Sequence, residues 1–166
     1  ANKSQWVIAL IYEEQKHADL AIGQLVDLKA NMAFQDTLMV DVQDKLKQLY
    51  GQQKKFDSLN QLWVDLDASD SLRKSQWAVE IGQYALDAVE YDLAKKWFST
   101  SVDYNQDEVG AKAAIAFAKV LSLQKEYKQS NDWLVAQFIQ SESRYYHLPD
   151  ATVGQAYLSM ADNFIQ

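Results

Sequence analysis

Cysteine is absent from this 166-residue chain. With it go disulfides, thiolate metal sites and any cysteine nucleophile. Proline occurs once and glycine five times. Sandwiches and barrels use both residues in their many tight turns, so this scarcity excludes a turn-rich β architecture and favours long helices. Long apolar runs are also missing. The longest, Trp6 to Tyr12, falls far short of the roughly 20 residues that a membrane span needs, so no direct membrane insertion is expected. Histidine is rare: only His17 and His147 occur. Neither has a second histidine or a carboxylate at metal-ligand spacing on a helix face, and both read as surface or loop residues. There is no Gly-x-Ser-x-Gly elbow, phosphate-cradling glycine loop or His-Glu-x-x-His. No metal, no cofactor and no catalytic residue is therefore expected.

Hydrophobic residues make up 48% of the chain and charged residues 23%, the balance of a folded globular protein. The length suits a single domain over residues 1–166. Because the sequence starts at Ala1 rather than Met, that domain is expected to be a fragment of a longer chain. Net charge is −7, with acids and bases interspersed. An acidic surface without a basic stripe disfavours nucleic acid and anionic membranes, both of which demand clustered Lys and Arg. The adjacent acids Glu13-Glu14 and Asp107-Glu108 diverge around a helix. They cannot converge on one substrate atom as an acid–base pair must; Asp107 is better placed to cap a helix start.

Apolar residues recur at i, i+3, i+4 and i+7 almost throughout, and strict alternation is absent. This pattern predicts helices near 3–16, 19–30, 36–51, 56–67, 72–88, 91–104, 108–124, 127–140 and 151–165. Asp36, Asp70 and Asp107 stand where side-chain oxygens can accept orphan backbone N–H groups, and Pro149-Asp150 precedes the last helix. The breaks are short, so consecutive helices should pair as antiparallel hairpins.

The pairs resemble one another. Residues 75–108 carry Ile81-Gly82, Ala85, Tyr91, Ala94 and Phe98. Residues 2–34 carry Ile8-Ala9, Tyr12, Ala18, Ala21 and Leu25. Residues 40–73 carry Leu46-Lys47, Tyr50, Phe56, Leu59 and Trp63. Residues 111–144 carry Phe117-Ala118, Leu121, Tyr127, Ser130 and Leu134. Ala18, Phe56, Tyr91 and Tyr127 mark equivalent turns, spaced close to the 34 residues of a tetratricopeptide (TPR) unit. Small residues at Ala21, Gly82, Ala94, Ala118 and Ala161 should be buried where helix backbones approach closely. Trp63, Trp97 and Trp133 recur in second helices, where aromatic rows are more often core than ligand box.

On these residues the chain resembles the tetratricopeptide repeat family over nearly its whole length. Lys47 stands where a small residue is usual, and the helix-ending proline is missing from every unit. The stretch from Glu108-Val-Gly-Ala-Lys-Ala through Lys125-Glu-Tyr-Lys-Gln-Ser to Met160-Ala-Asp-Asn-Phe is similar to the arrays of large Bacteroidetes cell-envelope TPR proteins. The resemblance implies an all-α fold: antiparallel hairpins stacked in a right-handed superhelix, about four repeats plus a terminal helix. It also implies a non-catalytic scaffold that binds a protein or peptide on its concave face or mediates assembly, in a periplasmic or envelope setting. A helical regulatory or sensor domain serving a catalytic module outside this chain is the alternative.

In this family the concave face is lined by first helices. Carried over by register, its residues here are Lys3, Trp6 and Leu10; Asp41, Asp44 and Gln48; Gln76, Val79 and Gln83; Lys112, Ile115 and Lys119; and Gln155, Leu158 and Asp162. A clamp for a C-terminal carboxylate would need Lys and Asn donors where Trp6, Leu10, Asp44 and Gln48 stand, which argues against that ligand. The last helix carries Tyr157, Phe164 and Ile165 with little charge. It is therefore expected to be covered by a further helix of a longer chain or, through self-association, by a second copy.

Overall fold

The structure, a computed structural model, describes residues 2–33, 36–105, 107–140, 143–145 and 147–165. Among these, nine α-helices and no strand occur. They are α1 (Asn2–Glu14), α2 (Ala18–Ala30), α3 (Leu38–Gln52), α4 (Phe56–Val64), α5 (Ser71–Asp87), α6 (Tyr91–Tyr104), α7 (Glu108–Leu123), α8 (Tyr127–Leu134) and α9 (Asp150–Ile165). Ala18, Phe56, Tyr91 and Tyr127 each open the helix that follows a short turn, and α1 packs on α2, α5 on α6 and α7 on α8.

The four turns before those residues share one construction. Lys16, Lys54, Val89 and Lys125 all adopt a left-handed backbone, with φ of 61°, 56°, 64° and 63°. In each, the next residue's N–H closes the first helix at 2.9 Å: His17 to the Tyr12 carbonyl, Lys55 to Tyr50, Glu90 to Ala85 and Glu126 to Leu121. The left-handed residue's own N–H also bonds back, to the carbonyls of Glu13, Gly51, Leu86 and Ser122 respectively, and this double closure satisfies carbonyls that a helix end would otherwise leave orphaned. Glycine is the usual residue for such a conformation, and none of the four turns has it.

Two helix ends depart most from expectation. α4 stops at Val64 rather than 67. There Leu66 N–H turns back to the Trp63 carbonyl at 3.2 Å, and the Asp67 carboxylate accepts from Ser69 N–H at 2.8 Å. α8 widens into a π-helical turn over Val135–Ile139. Tyr145 N–H then bonds back to the Gln137 carbonyl at 3.0 Å.

The chain forms two compact units, 1–62 and 63–166. In the first, α2 packs against both α1 and α3. Leu25, Leu28, Val42 and Leu59 are fully buried there. Lys45 on α3 pairs with Glu13 on α1 at 3.0 Å. Asp36 caps α3 as expected, its carboxylate accepting from Leu38 N–H at 3.0 Å.

In the second unit, α6 packs between α5 and α7, and α7 meets α5, α8 and α9. Asp70 caps α5 by accepting from Arg73 N–H at 3.0 Å. Small residues set the spacing. A methyl group added at Gly82 would stand 2.7 Å from the Phe98 ring on α6, and Ala94 and Ala118 are fully buried. Ala161 departs from expectation: it is exposed on α9, because no second helix among the described residues covers it. Asp107 also departs, since its side chain makes no capping bond. Asn105 does that work instead, its Oδ1 accepting from Asp107 N–H at 2.9 Å and Gly110 N–H at 3.2 Å. The buried Tyr145 hydroxyl donates to the Asn105 carbonyl at 2.9 Å. Burial pushes the Tyr145 phenol up to about 12, because a charged phenolate there would lose its water. This corner leaves no room for a side chain at Gly110, where a Cβ would lie 2.0 Å from the Asn105 oxygen.

Candidate functional site

None of the fifteen residues assigned by register to the first-helix face is buried. In the first unit they lie on α1 and α3. Lys3 and Asp41 are exposed, while Trp6, Leu10, Asp44 and Gln48 are half-buried. Some of the polar groups are engaged: Asp44 pairs with Lys47 at 3.6 Å, and Gln48 Oε1 accepts from Lys45 at 3.1 Å. Lys3 and Asp41 share the wall of a concavity of about 640 Å³ with Asn2, Asp36, Thr37 and Leu38.

In the second unit the face is built on α5, α7 and α9, with α7 touching each of the other two. By register these nine residues fall into three sets, each at the same sequence offset from the small residue of its helix (Gly82, Ala118 or Ala161). Gln76, Lys112 and Gln155 form one set, all exposed. Val79, Ile115 and Leu158 form the next. Val79 and Ile115 are half-buried and Leu158 is 67% exposed. Gln83, Lys119 and Asp162 form the third, again exposed. Lys112 is bridged to Glu108 at 2.8 Å, which holds the Glu108 carboxyl below its ordinary range, and Gln83 donates to Asp87 at 2.7 Å. Lys119 and Asp162 line a smaller hollow of about 320 Å³ with Ser122 and Tyr127.

A groove of about 590 Å³ that the sequence did not signal lies elsewhere in this unit, walled by α6 and α8. Its floor includes Phe117 and Trp133, stacked with ring centres 4.3 Å apart, and Leu121. Lys95, Lys96 and Asp132 stand at its rim. Lys95 is already paired with Asp92 at 3.0 Å and Asp132 with Lys128 at 2.8 Å.

The tryptophan box is filled from within. Lys74, 5% exposed, places its ammonium 4.1 Å from the centre of the Trp63 ring and donates to the Trp63 carbonyl at 3.2 Å. Trp63 Nε1 returns a bond to the Lys74 carbonyl at 2.9 Å. Trp97, 2% exposed, meets Trp63 edge-on at 5.4 Å. A cation held against an aromatic face is stabilising, the more so when desolvated. These rings therefore belong to the packing. Trp133 is half-buried and donates to the Ala114 carbonyl at 2.9 Å.

No group of three or more His, Asp or Glu side chains able to hold a metal occurs among the described residues. His17 and His147 are both exposed. No described helix is long and apolar enough to cross a membrane.

No protein-family model matches this sequence, and no curated protein sequence matches it. Solved structures do. One is a protein of Podosopora anserina described as a putative kinesin light chain with nearly identical TPR-like repeats. It is 14% identical with a TM-score of 0.52, over 96% of this chain and 87% of that one. A point variant of the same protein is also 14% identical, with a TM-score of 0.53 over 96% and 86%. Identity this low speaks to architecture alone, and the architecture agrees with the paired helices, the recurrent turns and the buried small residues: this chain has an all-helical, TPR-like repeat fold.

Proposed function

We propose that this chain is a non-catalytic interaction scaffold that holds an extended peptide segment of another protein across the first helices of its second unit. The observation that carries this reading is the set Val79, Ile115 and Leu158. Three apolar side chains hold one register position of three first helices, none of them is buried, and the register positions before and after them are amides and charges. Neighbouring helices pack about 8–10 Å apart, close to three residues of extended chain at about 3.3 Å each. The fitting segment therefore presents apolar side chains three residues apart, with an acidic group toward Lys119. A stripe of apolar anchors within a polar rim is the usual anatomy of such a contact. The TPR-like fold supports a protein partner by analogy. The likeness of residues 108–164 to envelope arrays supports a periplasmic or envelope setting within a longer protein.

The test is peptide selection on the full chain, followed by fluorescence anisotropy with Ile115→Glu and Val79→Glu. The expected result is a selected motif with apolar residues at i and i+3 whose binding both variants abolish while their circular dichroism at the assay temperature matches the parent's. Selected peptides that bind both variants as well as the parent would refute the assignment.

A further inference from the structure

In the second unit, α6 and α8 pack on α7 rather than on each other. The groove left between them is about 590 Å³, within the roughly 300–1,000 Å³ of small-ligand sites. Its α6 wall runs from Asp92 to Ser99, about 10 Å at about 1.5 Å per residue. That length suits a pair of fused rings with a short polar tail. The floor is a fixed platform. Trp133 is tied through Nε1 to the Ala114 carbonyl at 2.9 Å, and the Phe117 ring stacks on it at 4.3 Å with 27° between the planes. Leu121 completes the floor. Neither ring is buried, so aromatic surface is open to an occupant that can add the same kind of contact.

The polar groups decide the charge of that occupant. Both carboxylates at the groove are engaged along their own helices, Asp92 with Lys95 at 3.0 Å and Asp132 with Lys128 at 2.8 Å. Lys96 has no carboxylate partner among the described residues. Its ammonium stands 6.0 Å from the Trp97 ring centre, at the outer limit of a cation–π contact. Ser99 on the α6 wall and Gln129 on the α8 wall are likewise without a side-chain hydrogen bond among the described residues. The groups still able to bind are thus one cation and two neutral hydrogen-bonding side chains around an apolar floor.

We infer that this groove is a binding site for a small aromatic carboxylate, its rings on Phe117 and Trp133 and its carboxylate on Lys96. An ammonium ligand would have to break one of the two ion pairs to gain a partner, and it would meet the Lys96 charge as well. A neutral aromatic would leave that charge unanswered beside its apolar body. The net charge of −7 repels anions in general, so a preference for one has to arise locally. Val79, Ile115 and Leu158 do not line this groove, and the inference stands whether or not they hold a peptide.

The probe is β-naphthoate, titrated into the full isotope-labelled chain and followed by NMR at the Trp133 indole N–H, which Trp133→Phe assigns. A saturable shift with a Kd of about 1 mM or below is expected for a ligand of this size. β-Naphthylmethylammonium should bind about tenfold more weakly or worse, the scale of one charge-assisted hydrogen bond. Lys96→Gln should weaken β-naphthoate about tenfold and leave neutral β-naphthamide unchanged. Gln129→Glu, which adds a negative charge at the opposite wall, should weaken β-naphthoate as well. Both substitutions fall on exposed side chains, so the fold should hold. No saturable shift up to about 10 mM, equal binding in Lys96→Gln, or equal binding of the ammonium would overturn the inference. So would binding of the capped peptide Ala-Phe-Glu-Ala about tenfold tighter than that of β-naphthoate, since a protein segment would then be the occupant.

Discussion

Replacing Val89 with glycine should make this protein more stable, although valine is the larger apolar residue. Val89 joins α5 to α6 with φ of 64°, in the left-handed region where a β-carbon crowds the following carbonyl. That crowding costs roughly 1–2 kcal/mol for an ordinary residue and is at the upper end for a β-branched one. Glycine removes the strain but gives up about 0.5–1 kcal/mol through the greater freedom of its unfolded chain. The side chain is 64% exposed, so truncating it forfeits about 0.5 kcal/mol of apolar burial, a fraction of what a fully buried valine provides. The net expectation is a gain of up to about 1 kcal/mol, or a rise of about 2–4 °C in melting temperature for a chain of this size. Thermal melts followed by circular dichroism at 222 nm would measure it. Lys125→Gly, at the equivalent left-handed position without branching, should gain less. Glu90→Gly, whose φ is −87°, should lose stability. A fall in melting temperature for Val89→Gly, or equal shifts for Val89→Gly and Glu90→Gly, would show that backbone handedness does not govern this turn.

Gly82→Leu should overpack the α5–α6 contact against Phe98 and cost about 1–3 kcal/mol, and Ala94→Leu should behave alike; melts in which neither variant loses stability would contradict the register. Asn105→Ala should remove the cap of α7 and cost about 1 kcal/mol, read by urea denaturation, whereas Asp107→Ala should cost much less. Tyr145 should make the protein sensitive to alkali. Its folded pKa of about 12 exceeds the ordinary 10.0, so the folded state holds the phenolic proton more tightly. The resulting stability is complete below about pH 10 and drains away as pH climbs toward 12. Tyr145→Phe should flatten that decline in a pH series of chemical melts, and an unchanged decline would assign it to other groups.

The helical pairing could be read from the sequence because packing writes it there. Gly82, Ala94 and Ala118 have to be small where backbones meet, and Phe56, Tyr91 and Tyr127 recur because every second helix begins alike. The first-helix face was carried over from the family's repeat register, and its residues are exposed or half-buried in the structure. The left-handed turns were hidden, since Lys16, Lys54, Val89 and Lys125 carry no glycine to announce them. Asn105 and Asp107 are equally able caps by composition, and only the approach of Tyr145 favours the first. Ala161 fits the small-residue pattern and yet is exposed, because a pattern records what a helix can pack against and not whether that neighbour is present. The groove over Phe117 and Trp133 was invisible because these rings read as ordinary core at helical spacing.

The way α9 is attached has a kinetic consequence. Its buried residues are Ala156 and Asn163. Asn163 is held by hydrogen bonds: its Oδ1 accepts from Ser122 Oγ at 2.6 Å, and its Nδ2 donates to Ser130 Oγ at 3.0 Å and Asn131 Oδ1 at 2.6 Å. Such a network fixes one angle and one register, because a slip of a single residue would strand every donor and acceptor. It adds little net stability, since water offers the same bonds to the opened helix. The backbone amides of α9 should therefore exchange with deuterium through local detachment, at rates set by a small opening free energy. Those of α5 and α6, sealed by Ile81, Phe98 and Trp97, should exchange only when the whole unit opens.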